Sequence, residues 1–238
     1  MSPNPEPVLA ISGLHKKYAG LRPLRVRELT IGVGERVAVA GLDAAAAELM
    51  VNLVTGATLP DEGEVRVLGQ RTSDISTGDD WLASLDRFGI VSERAVMMEG
   101  ATLAQNLAMP FTLDIEPVPP EVRSTVDALA RECGIDAALW LDRRAGDVPP
   151  DVRMRAHVAR AVALGPKLLV LEHPTATLPE PSRAAFGADI VAVADARTLA
   201  TLVITEDRGW ARCVAQRVLV LNGATGELAP LRKRWFPI

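Results

Sequence analysis

The chain carries 238 residues, 48% of them hydrophobic, with 26 Lys and Arg against 30 Asp and Glu for a net charge of −4. That length makes one large α/β domain or two small ones with ample core, and the acidic balance argues against a nucleic-acid binder. No apolar run approaches the roughly 20 residues that cross a bilayer, and the opening MSPNPEPVLAISGL lacks the basic-then-apolar order of a signal peptide. Cys133 and Cys213 stand far apart and form no metal-like pair, so reduced, buried thiols and a cytosolic setting are expected.

In chain order, residues 8–14 alternate as an edge strand does, and HKKYAG turns the chain towards a second strand over Leu24–Ile31. Gly32 and Gly34 bracket the turn into a buried strand, Arg36–Ala40, which Gly41 links to a helix ending at Gly56. Leu49, Met50, Leu53 and Val54 share one face of that helix. LPDEGEVRVLGQ is a turn followed by a strand with Val65, Val67 and Leu68. Residues 72–80 read as loop, Phe88–Val91 as a short strand, and ATLAQNLAMPF as a short helix capped by Thr102.

Residues 110–120 hold four prolines and read as a linker. Helices come next from Pro119-Pro120, with Val122, Val126, Leu129 and Cys133 at helical spacing, then over IDAALWL, then from Pro149-Pro150 to Gly165-Pro166. KLLVL is a continuous apolar strand of the kind buried on both faces of a parallel sheet. A helix over 182–194, the strand TLVIT, a short helix near Trp210 and the strand RVLVL complete the series. Strands alternating with helices imply βαβ units and a parallel sheet, and no internal repeat is evident.

The stretch from Arg36 to Gly56 has the strand, glycine turn and helix of a phosphate-binding loop, where backbone N–H groups cradle an anion and a lysine reaches the terminal phosphates. The chemistry is missing. Counted from Gly41, the lysine position holds Ala47 and the magnesium-binding Ser/Thr position holds Glu48, and no lysine occurs between Lys17 and Lys167. Asp43 and Glu48 read best as helix-capping and first-turn acids, and a carboxylate on the loop amides fills the anion site from within.

That loop, NLVTGATLPDEGEVRVLGQ, ARAVALGPKLLVLEHPTATL and RVLVLNGATGEL, in this order, resemble the ATP-binding cassette (ABC) ATPases, the nucleotide-driven subunits of membrane transporters. The resemblance covers nearly the whole chain. It implies an α/β, P-loop NTPase-like cassette with a mainly parallel central sheet and an antiparallel β part over 1–92 and 160–238, and a helical subdomain over 93–159. It also implies a membrane-embedded permease and a second cassette, in a homo- or heterodimer, as partners.

The functional positions carried over from the family have changed, with one exception. Tyr18 sits where an aromatic residue stacks on adenine; its plainer reading is a lone tyrosine at a strand end. Any bound nucleotide is expected to meet Tyr18, Gly41, Asp43, Ala46, Ala47, Glu48 and Leu49 of this degenerate Walker A loop. The glutamine that senses magnesium matches Glu93, and the signature Leu-Ser-Gly-Gly-Gln falls on Val148 to Val152. The aspartate closing the apolar strand is Glu172, the water-activating glutamate is His173, the next aspartate is Pro179, and the γ-phosphate histidine is Glu206. Glu172 keeps the chemistry to hold magnesium through water, whereas His173 next to it on a strand points to the opposite face and no metal site is expected.

The favoured expectation is a subunit without ATPase chemistry or bound cofactor, structural or regulatory within a membrane transport complex. ATP with magnesium belongs to the alternative, a weakly ATP-binding transporter subunit with slow or no hydrolysis; a third reading is a stand-alone interaction domain. The permease groove is placed beside 93–110, where one of the adjacent Met97 and Met98 is expected in the core and the other at the surface. The alternative is that both fill the gap under the helices.

Overall fold

Two sheets organise the chain in a computed structural model that describes residues 6–19, 22–92 and 94–231. The first is antiparallel, in the order β2-β1-β4-β5, built from β1 (Leu9–Lys16), β2 (Leu24–Ile31), β4 (Glu62–Val67) and β5 (Gln70–Arg71). The second runs β10-β9-β3-β8-β7-β6, from β3 (Arg36–Ala40), β6 (Phe88–Val91), β7 (Leu168–Glu172), β8 (Ala200–Ile204), β9 (Arg217–Asn222) and β10 (Glu227–Pro230). It is parallel except for β10, which returns antiparallel along β9.

The helices are α1 (Ala44–Val54), α2 (Gly78–Ser84), α3 (Leu103–Ala108), α4 (Pro120–Glu132), α5 (Ala137–Trp140), α6 (Pro150–Val162), α7 (Glu180–Ala196) and α8 (Arg208–Val214). Alternation along β7 shows how they are sorted. Leu168 and Val170 join the cluster that holds α1 and the antiparallel sheet, while Leu169 and Leu171 join the cluster that holds α3, α4, α6, α7 and α8. Every residue of β7 is buried, as its unbroken apolar sequence requires.

Several sequence expectations shift. Leu68 leaves the strand and adopts φ +50° in the β4–β5 turn, so it is exposed instead of packed. A helix over residues 78–84 begins inside the stretch 72–80 expected as loop, because Thr77 caps it by accepting from the Asp80 N–H and two acids, Asp79 and Asp80, occupy its first turn. α6 runs unbroken across 159/160, the position expected to divide the helical subdomain from the core. Cys133 is buried as expected, its thiol pushed up to about 12 chiefly by burial, whereas Cys213 is exposed. Among the described residues no helix is long and apolar enough to cross a membrane.

Candidate functional site

At the end of β3, Gly41 takes φ +94°, and a Cβ there would come within 3.0 Å of the Leu221 carbonyl oxygen, so only glycine makes this turn. The connection from Gly41 to α1 is shorter than a phosphate loop. Asp43 caps α1 through Oδ1, which accepts from the Ala46 N–H at 2.8 Å, and its own carbonyl accepts from the Ala47 N–H at 2.8 Å. The run Ala44 to Ala47 replaces glycines with the strongest helix formers, and α1 starts at Ala44, inside the loop. Two amides that a phosphate needs are therefore taken by Asp43. Ala46, Ala47 and Leu49, three of the positions expected to meet a nucleotide, are buried, Ala47 at 0% exposure. Tyr18 lies half-buried at the edge of the apolar cluster, its hydroxyl pKa raised by burial and then by the charge of Asp43.

Glu48 points out of α1, and Glu172 closes β7. One side chain joins them. The Arg94 guanidinium donates from Nη1 to Glu172 Oε1 at 3.0 Å and from Nη2 to Oε2 at 2.7 Å, and its Nη1 also lies 3.2 Å from Glu48 Oε2. This two-pronged pairing matches the planar fork of arginine to the plane of a carboxylate. Glu172 is buried, which raises its pKa; Arg94 opposes that rise, as does His173, and Glu48 adds to it. Glu172, expected to hold magnesium only through water, here has both carboxylate oxygens hydrogen-bonded to Arg94. Arg94 escapes sequence reasoning because a sequence shows no partner 78 residues away. The available signal is that two acids at metal positions demand a cation.

His173 lies just past β7 at φ +44°. Its Nε2 is buried without a hydrogen-bond partner, and it lines a cavity of about 180 Å³ together with Arg183, Thr205, Glu206 and Asp207. The structure thus brings His173 and Glu206 to one cavity, apart from the Glu48–Arg94–Glu172 group. Among the described residues no set of three or more His, Cys, Asp or Glu is placed to hold a metal.

The segment at the signature positions opens on two prolines. Pro149 caps α6 and Pro150 is its first residue, so both positions lack the N–H that a helix N-terminus offers an anion. Val148 and Val152 are buried, and Arg155 is held between Asp151 and Asp189 at 2.8 and 2.7 Å. Beyond Glu93, which lies outside the described residues, the chain borders a cavity of about 530 Å³ lined by Ser92, Val96, Met97, Arg153, Met154 and His157, among others. Met97 is 6% exposed and sits in the core, whereas Met98 is 44% exposed. Buried Asn106 holds this segment, accepting from the Met98 N–H at 2.9 Å and donating to its carbonyl at 3.0 Å.

A mainly parallel sheet with an antiparallel sheet beside it, a glycine turn into α1 and a proline-opened helix over the core define the architecture of an ATP-binding cassette. The chain belongs to the ABC transporter family, whose match spans residues 24–176. It is 27% identical over 230 residues to the lipoprotein-releasing system ATP-binding protein LolD of Xylella fastidiosa, covering 93% of each chain. It is 28% identical over 182 residues to the ribose import ATP-binding protein RbsA 2 of Rhizobium etli, covering 74% of this chain but only 34% of that relative. Among solved structures, MJ0796, a bacterial ABC transporter cassette seen as a dimer, aligns with a TM-score of 0.75 at 20% identity, over 96% of this chain and 100% of that one. The cbiO1 protein of Clostridium perfringens, part of the ABC transporter complex cbiONQ, aligns with a TM-score of 0.78 at 18% identity, over 94% and 87% of the two chains.

Proposed function

We propose that the chain is the cassette subunit of a membrane transport complex, a structural or regulatory partner that does not turn over ATP at its own site. It docks peripherally, on the inner face of the membrane, against a permease or beside a second cassette. The observation that carries this reading is the packing of the phosphate loop: Ala47 is sealed in the core, and Asp43 occupies the Ala46 and Ala47 amides. No side-chain ammonium stands where phosphate charge is neutralised in a working loop. Head-to-tail pairing with an intact cassette would offer that partner's nucleotide a helix start made of Pro149 and Pro150, without amides for the γ-phosphate.

A second reading, weak ATP binding with slow or no hydrolysis, draws on two observations. Tyr18 stands close enough to the loop to feel the charge of Asp43, and LolD and RbsA 2 are named ATP-binding proteins. Purification from native membranes, with the partners identified by mass spectrometry, tests the assignment to a transport complex. An integral membrane protein or an intact cassette in stoichiometric amount is the expected result. A stable soluble partner recovered without membranes would replace it with a stand-alone interaction domain.

A further inference from the structure

The family's magnesium requires a hydroxyl or carboxyl from the start of the first helix and a carboxylate from the end of the apolar strand, with open space between them. Here the donor set does not fit a metal ion. Glu48 and Glu172 supply the two oxygen-bearing side chains, but the Arg94 guanidinium lies between them at 3.2, 3.0 and 2.7 Å. We propose that Arg94 is a resident cation that stands in for the divalent metal, so that this site excludes magnesium and any nucleotide it holds is held metal-free.

Three features support the assignment beyond the distances. Glu172 is buried at a strand end, and a carboxylate there needs a cation or a proton. Arg94 engages both Glu172 oxygens, so a metal binding there must compete with the guanidinium for them. The arginine is also delivered by structure: it sits directly after β6, in a turn closed by the Ala95 N–H donating to the Ser92 carbonyl at 3.1 Å. Ser92, Ala95, Val96 and Met97 border the larger cavity, so the ion pair ties the floor of that cavity to α1 and β7. A metal would have to displace a cation already neutralising its ligands.

The proposal rests on the family positions of Glu48 and Glu172, but not on the absence of turnover, and its test uses no nucleotide. Mn²⁺ is titrated into the full chain and the free ion is followed by electron paramagnetic resonance, for the wild type, Arg94→Ala, and Arg94→Ala combined with Glu172→Gln. The wild type is expected to leave Mn²⁺ free up to millimolar concentration. Arg94→Ala should bind it at least tenfold more tightly, and adding Glu172→Gln should abolish that gain. Arg94→Ala strips buried Glu172 of its cation, so its folding is checked by circular dichroism, and Arg94→Lys supplies a folded control expected to exclude Mn²⁺ as the wild type does. Submillimolar Mn²⁺ binding by the wild type, lost in a Glu172→Gln single variant measured alongside it, would overturn the proposal, as would an Arg94→Ala chain with no gain in Mn²⁺ affinity. Phosphate release by the wild type would instead overturn the proposed absence of turnover and leave this assignment standing.

Discussion

At position 47 the backbone has been fixed for alanine, and the consequences go beyond a missing charge. Ala47 sits in the cluster formed by α1, β3 and β7, with its N–H bonded to Asp43. A lysine placed there by Ala47→Lys must carry an ammonium out of an apolar pocket or bury it, which costs several kcal/mol when unpaired. For a chain of this size about 1 kcal/mol moves the melting temperature by ~2–4 °C. Ala47→Lys is therefore expected to lower it by at least about 5 °C and to confer no calorimetric Mg-ATP binding. The two methionines offer the complementary comparison. Met97→Glu puts a carboxylate into the core and should drop the melting temperature by about 10 °C, whereas Met98→Glu, at an exposed site, should change it by about 2 °C or less. If Met98 lies at the docking groove, Met98→Glu also weakens recovery of the membrane partner; unchanged recovery places the groove elsewhere. The replaced residues at 47, 48, 172, 173 and 206 are legible by position. Arg94 is not, because its role exists only once β6 and β7 lie side by side.

Among the elements, those with their own local signals match the sequence closely. β2, β3 and β6 coincide with their expected ranges, and α3 starts at a capping box in which Thr102 and Gln105 satisfy each other's backbone N–H groups. β10 is invisible in the sequence, since Glu227 to Pro230 lacks apolar alternation and is held by its pairing with β9. α6 carries a pH-dependent liability. His157 is pushed down to about 4, first by burial and then by the positive charges of Arg160 and Arg153, the latter 3.8 Å from Glu99. Its ordinary value is about 6.5, so the unfolded chain binds the proton first. The stability from keeping this imidazole neutral is whole above pH 6.5 and is lost as pH falls from there towards 4, on the order of 2 kcal/mol. Glu132, held below its ordinary value by Arg197, stays ionised through most of that window. Urea midpoints measured from pH 7 to 4 should fall more steeply for the wild type than for His157→Gln. Equal slopes would show that the imidazole is solvated.

For the molecule as a whole, apolar patterning carries the architecture: strands alternating with helices give the parallel sheet, and the four family-like segments appear in their expected places around it. The loop's real conformation is hidden, because four consecutive alanines read equally as a degraded loop or as a helix start, and only packing against β3 and β7 decides. On the proposed reading, with Asp43 capping α1 inside the loop and prolines opening α6, a pair of identical subunits would lack a competent composite site, and activity in a complex would come from a partner's own loop and catalytic residues. The most direct measurement is phosphate release from Mg-ATP by the purified full-length chain, with bound nucleotide followed calorimetrically in the same preparation. No release above background and no saturable heat up to millimolar Mg-ATP are expected. Release at ~1–10³ s⁻¹, the range of ordinary enzymes, with micromolar binding would contradict the reading of this chain as a cassette without turnover.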